Sequence, residues 1–163
     1  MTSTLYVDNL QPNLGSRVEI PSLKPIAGSV VQVVQVDDAE FSTRFTTTSS
    51  SYVSSGYDLV ITPTSTSSKI LITCNFSVHS TSGYAYGLIA RNGTQLANTQ
   101  FAFGGGGQPW GMAGSTFLDE PNSTSAVTYT LYGFTNSGTA YYGWNSSTTN
   151  NNFCYFIAQE IAQ

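Results

Sequence analysis

The segment from Lys69 to Ser80, KILITCNFSVHS, constrains the fold of this chain more than any other feature. Its residues alternate so that one set is apolar throughout, and this set comprises Ile70, Ile72, Cys74, Phe76 and Val78. The alternate set runs Leu71, Thr73, Asn75 and Ser77 and is mostly polar. Because successive side chains of a strand point to opposite faces, this pattern predicts a long β-strand with one face in a hydrophobic core.

The composition extends this prediction to the whole chain. Charged residues make up 9% of the sequence, against roughly 25% in an ordinary soluble domain. The long charged side chains that favour helices are therefore scarce, whereas Thr, Val, Ile, Tyr and Phe are plentiful. These residue types suit a pleated, half-buried surface, so we expect an all-β protein.

Further strands are predicted at roughly ten-residue spacing, separated by Gly, Pro and Asn turns. They include Ser29–Val36, Phe41–Thr47, Tyr57–Pro63 and a closing strand Phe153–Ile161 with apolar residues on both faces. Two hairpins are predicted, one turning at Asn92 and Gly93 and one at Asn136, Ser137 and Gly138. With 163 residues, the chain is long enough for one such domain. We predict an antiparallel, jelly-roll-like β-sandwich over residues 29–163.

Residues 1–28 differ from the rest of the chain. Short apolar pieces, Leu5-Tyr6-Val7 and then Val18 and Ile20, are separated by prolines and glycines that exclude a helix. Isolated short strands are not stable alone, so this segment is predicted to be an extended arm that pairs with a partner chain.

Charge and hydropathy exclude several functions. The net charge is −4, and the basic residues are scattered at Arg17, Lys24, Arg44, Lys69 and Arg91. Since no basic stripe is present to neutralise phosphates, nucleic-acid binding is not expected. No apolar run has the length of a membrane span and the N-terminus carries no secretion signal, so membrane insertion is not expected either.

Candidate catalytic and metal-binding residues are few. His79 is the only histidine, which excludes a metal site of several histidines, and it is expected to be an ordinary loop or edge residue. Two acidic clusters, Asp37-Asp38-Glu40 and Asp119-Glu120, are either solvated turns or part of a calcium site. The second cluster also leaves open a polysaccharide depolymerase with paired carboxylates. We expect no enzymatic activity, no metal and no cofactor.

The two cysteines, Cys74 and Cys154, lack the spacing of a metal site. The simpler interpretation is two buried thiols in a protein made in a reducing cytoplasm, and the alternative is a single disulfide between neighbouring strands.

The glycine-rich segment FAFGGGGQPWGMAG, residues 101–114, does not have the features of a phosphate-binding loop. No lysine follows the glycines and no helix is predicted after them, and a phosphate site of that type requires both. The segment is instead predicted to be a loop that carries Trp110. A second aromatic and amide-rich segment, AYYGWNSSTTNNN, begins at Ala140.

Aromatic rings stack on the apolar faces of sugars, while amides and hydroxyls bond to sugar hydroxyls. We therefore predict a glycan-binding surface formed by the following residues: Trp110, Gln108, Tyr141, Tyr142, Trp144 and Asn145. Two alternatives remain. Alternate aromatics on a strand belong to a core in most sandwiches, and the glycine loop could instead lie where subunits crowd together at a trimer axis.

Several segments resemble a known family. SSSYVSSGYDLVITPTSTSSKILITCNFSV, SAVTYTLYGFTNSGTAYYGWNSS and FIAQEIA are similar to C-terminal domains of bacteriophage tail-fibre proteins, especially those of marine and cyanobacterial phages. The opening LYVDNLQPNLGSRVEIPSLKPIAGSVVQVV looks like the short N-terminal module that precedes such domains in phage structural proteins.

The resemblance implies a homotrimeric virion protein that is assembled in the cytoplasm of the host bacterium. It also implies that this protein binds a host-surface polysaccharide without catalysing a reaction. The sequence departs from that family in length, because such fibres carry long shafts and only about 28 residues precede the predicted sandwich here, which favours a short tail fibre. In this interpretation the arm docks onto other virion tail or capsid proteins through Leu5, Tyr6, Val7, Val18 and Ile20. The alternative is a capsid-decorating or tail or baseplate assembly protein without receptor binding.

Overall fold

A computed structural model of the chain describes residues 25–36, 44–104, 110–143 and 154–163. Within them the chain forms eleven β-strands and no helix, which confirms the predicted all-β class. The strands are β1 (Val30–Gln35), β2 (Phe45–Thr47), β3 (Val53–Ile61), β4 (Lys69–Ser80), β5 (Tyr84–Arg91), β6 (Thr94–Gln95), β7 (Phe101–Gly104), β8 (Gly111–Asp119), β9 (Val127–Thr135), β10 (Ala140–Tyr142) and β11 (Tyr155–Ile161). A search of the described residues for a helix able to cross a membrane finds none.

The first of two antiparallel sheets is built around β4. Along one edge β4 pairs with β8 over nearly its whole length. Along the other edge it pairs with β11 through its first half and with β10 through its last residues. Outside these, β1 pairs with β11 and β2 pairs with β10. The long strand predicted from the alternating pattern is therefore the centre of this sheet.

The second sheet has the order β3-β9-β5, with β6 and β7 both pairing along the far edge of β5. It packs face to face on the first sheet and completes the predicted sandwich. The apolar face of β4 lies between the sheets, as its pattern predicts. The largest fully buried side chains come from both sheets: Tyr129, Tyr142, Phe76, Phe156, Leu59, Ile61, Ile70, Ile72, Leu88, Ile89 and Leu131.

The hairpin predicted at Asn92 and Gly93 is confirmed. It joins β5 to β6, and Arg91 pairs with Thr94 across the two-residue turn. Both turn residues have positive φ, 48° for Asn92 and 80° for Gly93, as a tight turn matched to the twist of the strands requires.

The second predicted hairpin is wrong. The strands on either side of Asn136, Ser137 and Gly138 lie in different sheets, β9 in the second and β10 in the first. The physical reason is a close approach across the core. A Cβ at Gly133 of β9 would lie 2.7 Å from the ring of Tyr142 of β10, so the glycine leaves the space that this ring fills. The chain therefore crosses between the sheets here instead of folding back beside itself.

Both cysteines are free and buried, as predicted for two buried thiols. The Cys74 thiol donates to the carbonyl of Ser115 at 3.4 Å, and the Cys154 sulfur accepts from the backbone N–H of Ser77 at 3.2 Å. Burial raises the pKa of Cys74 to about 12, so this thiol is kept protonated and unreactive.

Glu160, on the inward face of β11, is a fully buried carboxylate. One of its oxygens accepts from the Gln32 amide at 2.6 Å, and the other accepts from the N–H and the hydroxyl of Thr64, each at 2.7 Å. Burial opposes its ionisation, but these bonds and one from Ser68 outweigh burial and lower its pKa. Glu160 thus ties β1 and β11 to the connection between β3 and β4.

We expect Glu160→Gln to lower the free energy of unfolding at neutral pH by about 1 to 3 kcal/mol, because a charged acceptor of several hydrogen bonds is lost. A carboxylate with a lowered pKa in the folded state stabilises the protein above the ordinary glutamate value of 4.5, and this contribution disappears as the pH falls through the folded pKa. Urea unfolding of both proteins between pH 7 and pH 3 measures the effect. Identical pH dependence in wild type and variant would contradict this role for Glu160.

Candidate functional site

Three aromatic rings and a guanidinium group lie together at one end of the outer face of the first sheet. The His79 ring lies against Trp110, with ring centroids 5.2 Å apart, and against Tyr141 at 5.6 Å. Both contacts are stacked, with planes inclined by 25° and 21°. Arg44 lies beside them, and all four side chains are half-buried. We call Trp110, His79, Tyr141 and Arg44 the aromatic row.

Strand register brings the rings to one level. His79 of β4 lies directly opposite Tyr141 of β10. On the other edge Val78 lies opposite Gly111, so Trp110, the residue before Gly111, comes level with His79. Val78 points into the core, so His79, its neighbour in the strand, points outward by the alternation of the strand. The three aromatic residues therefore lie on or beside three neighbouring strands on the solvent side, and their rings converge, since the Trp110 and Tyr141 centroids are 6.1 Å apart.

Arg44 immediately precedes β2, the strand outside β10. Its guanidinium carbon lies 4.4 Å from the centroid of the Tyr141 ring and 5.9 Å from that of Trp110. Such cation–π contacts hold a cation against an aromatic surface without neutralising it. No residue that the structure describes accepts a hydrogen bond from this guanidinium or forms an ion pair with it.

A cleft of about 800 Å³ opens next to the row, between β2 of the first sheet and β3 of the second. It is lined by Arg44, Phe45, Thr46, Ser55, Gly56, Tyr57, Asp58 and Val60. A bulge in β3 shapes its wall. The pairing with β9 shifts register between Ser54 and Asp58, and Gly56 within the bulge has a φ of 77°. Backbone of this conformation suits glycine, and a Cβ there would meet no other atom within 4 Å.

Two of the predicted glycan-binding residues, Trp110 and Tyr141, belong to the aromatic row. Three others, Gln108, Trp144 and Asn145, lie outside the described residues, as do the five docking residues of the arm. The row also contains Arg44, which the sequence did not single out, and His79, which was predicted to be an ordinary loop or edge residue but lies in the central strand β4. For His79 a signal was present, since alternation from Val78 places it on the outer face. Nothing local in the sequence predicts that β2 would bring Arg44 beside β10.

The structure removes Tyr142 from the candidate surface. Its side chain has no solvent exposure, and its hydroxyl donates to two backbone carbonyls of the second sheet, those of Tyr86 and Phe134. Burial raises the pKa of this hydroxyl, which stays a hydrogen-bond donor. Tyr142 is buried because successive side chains of a strand point to opposite faces of the sheet. With Tyr141 on the outer face of β10, Tyr142 must point into the core.

The acidic pair Asp119 and Glu120 is engaged in ion pairs. Asp119 accepts from Arg91 at 2.8 and 2.9 Å and from the hydroxyl of Tyr129 at 2.6 Å, which links the two sheets. Glu120 is exposed and pairs with Lys69 at 2.7 Å, and this hydrogen bond lowers its pKa. The described residues include no group of three or more His, Cys, Asp or Glu that could hold a metal ion. The other acidic cluster, Asp37, Asp38 and Glu40, lies outside them.

A second aromatic group lies on the outer face of the second sheet. The rings of Tyr86 and Phe134 stack at 4.5 Å with planes only 5° apart, and Tyr52 meets Phe134 edge-on at 4.6 Å. Tyr84 at the end of the group is 45% exposed, which makes it a matched control for substitutions in the aromatic row.

Comparison with protein-family models and with curated proteins finds no match to this chain.

The contrast between Tyr141 and Tyr142 has a measurable consequence. Tyr142→Ala leaves a cavity between the sheets and should lower the free energy of unfolding by about 3 to 5 kcal/mol, as for other large aromatic truncations. Tyr141→Ala removes only ring contacts on the surface and should cost less than about 1.5 kcal/mol. Chemical denaturation measures both values, and equal losses would contradict the assignment of one tyrosine to the core and the other to the surface.

Proposed function

We propose that this protein is a virion structural protein of the short tail-fibre type that binds a host-surface glycan through the aromatic row. The observation that carries the proposal is the position of Trp110, His79 and Tyr141, stacked together on an outward sheet face instead of in the core. Aromatic surface with polar edges is enriched where proteins bind partners, and sugar rings present the apolar faces that such surfaces contact.

The chemistry around the row fits recognition of a polysaccharide. Arg44 supplies N–H donors, and Thr46 adds a polar side chain to the adjoining cleft. A shallow surface of this kind gives weak binding at a single site. Several copies on one particle turn weak contacts into firm attachment, because each further contact with the same cell becomes intramolecular.

The resemblance of several segments to phage tail-fibre domains supports the virion setting. In that setting the arm of residues 1–28 docks onto other virion proteins and the sandwich points towards the host. Trimerisation follows from the same resemblance.

Substituting Trp110 tests the glycan-binding part. We expect Trp110→Ala to weaken binding to purified surface polysaccharide of a susceptible host by about tenfold or more, because truncating a central aromatic contact costs about 2 kcal/mol or more. Surface plasmon resonance measures the affinity, and inhibition of phage adsorption by the purified protein gives an independent reading.

The matched control is Tyr84→Ala, which removes an exposed aromatic ring from the other sheet and should leave binding unchanged. Equal weakening in both variants, or none in either, would contradict a site at the aromatic row.

The outer face of the first sheet supports self-association. Between Lys69 at one end and the aromatic row at the other, its described residues carry no charge, and many are apolar. The apolar members are Val30, Val33, Leu71, Met112, Leu118, Tyr155, Ile157 and Ile161. An antiparallel sheet with one solvated face normally has polar residues there, whereas charge depletion and apolar surface are typical of interfaces between identical subunits.

We expect a trimer in native mass spectrometry at micromolar concentration, and Val33→Asp should shift it towards monomer because a charge enters an apolar contact. Val33 is 56% exposed in the single chain. The matched control is Val60→Asp, at a position 49% exposed on the other sheet, which should leave the trimer intact. A monomeric wild type would contradict the proposal.

A second candidate function is a capsid-decorating or tail or baseplate assembly protein without receptor binding. The same uncharged sheet face favours it, since that face suits attachment to another virion protein equally well. Antibody labelling of intact particles separates the two, with label at the tail tip supporting the fibre and label over the head supporting decoration. No observation among the described residues favours the depolymerase hypothesis, because Asp119 and Glu120 are both held in ion pairs.

A further inference from the structure

Arg44 belongs to two features at once. Its guanidinium lies over the Tyr141 ring in the aromatic row, and its side chain also lines the cleft between β2 and β3. A ligand that stacks on the row and extends into the cleft must therefore pass this cation.

Among the described residues, Arg44 differs from Lys69 and Arg91 in its ion pairing. Lys69 pairs with Glu120 and Arg91 pairs with Asp119, each at hydrogen-bonding distance. Arg44 has no carboxylate partner within the described ranges. Its guanidinium lies over the faces of the Trp110 and Tyr141 rings. A guanidinium carries five N–H donors in a planar fork that matches the two oxygens of a carboxylate, and contact with a ring does not consume them.

The cleft beyond Arg44 has the chemistry of a sugar subsite. Thr46 contributes a polar side chain to its wall, and Phe45 and Val60 contribute apolar side chains. The Ser55 hydroxyl is already engaged, since it donates to the Leu131 carbonyl at 2.8 Å. The Asp58 carboxylate accepts one hydrogen bond, from the hydroxyl of Thr130. A carboxylate has about four acceptor positions, so Asp58 can also accept from the hydroxyls of a bound sugar.

We infer that the glycan bound by this protein is acidic, with a sugar carboxylate paired to Arg44, one sugar ring stacked on the aromatic row and the next sugar in the cleft. The inference rests on the proposed glycan-binding function and adds the chemical class of the glycan. Arg44 and the carboxylate form a charge-assisted, bidentate contact, the strongest type of hydrogen bond available to a surface site.

The test uses the full-length protein and a panel of immobilised glycans. Every uronic-acid or sialic-acid glycan is placed beside its methyl ester, which keeps the sugar and removes the charge. We expect at least one acidic glycan to bind. Its methyl ester should bind at least about tenfold more weakly.

Arg44→Gln should abolish this preference, and Arg44→Lys, which keeps the charge but loses the planar fork, should restore only part of it. The matched control Lys69→Gln removes the same charge at the far end of the sheet and should retain the preference.

Two results would overturn the inference of an acidic glycan while leaving the proposed glycan site in place. One is equal binding of acid and ester by the wild type, and the other is an unchanged preference in Arg44→Gln. In either case, loss of binding in Trp110→Ala would show that the glycan site itself stands. Binding of neither acidic nor neutral glycans by the wild type would overturn the proposed function together with the inference.

Discussion

Pairing of β4 along both of its edges is the constraint on which the rest of the structure depends. Through β8, β11 and β10 this strand fixes the register of almost the whole first sheet. Its inward residues anchor the core, and its outward residues set what the sheet presents to solvent. A slip of one residue would exchange the two faces, burying His79 and exposing Phe76, so the core and the candidate site are set by the same register.

The shortage of charge shapes both the interior and the surface. Of the few carboxylates, Glu160 and Asp119 are used to join elements across the sandwich, Glu160 through neutral donors and Asp119 through Arg91 and Tyr129. Little charge is left for the outer face of the first sheet, whose described residues between Lys69 and the aromatic row are all neutral. Aromatic stacking and apolar contact then become the main means by which that face can bind a partner, and Arg44 supplies the charge at the site.

The fold class, the centre of the first sheet and the turn at Asn92 and Gly93 could be predicted because each depends on local pattern. The second hairpin could not, because the partner of β10 is chosen by packing of Tyr142 over Gly133, residues whose contact the local sequence does not encode. The candidate site could be predicted only in part, again because local sequence does not encode contacts between distant segments. Trp110 and Tyr141 stand out as aromatics, whereas Arg44 joins them only through the pairing of β2 with β10.

The most direct test of the glycan site uses the single histidine of the chain as a reporter. The imidazole signals of His79 arise from one residue, so their assignment in an NMR spectrum is unambiguous, and the ring contacts both Trp110 and Tyr141. Titration with host-surface polysaccharide should shift these signals in a saturable way. Saturable binding of the polysaccharide with unchanged His79 signals would contradict a site at the aromatic row.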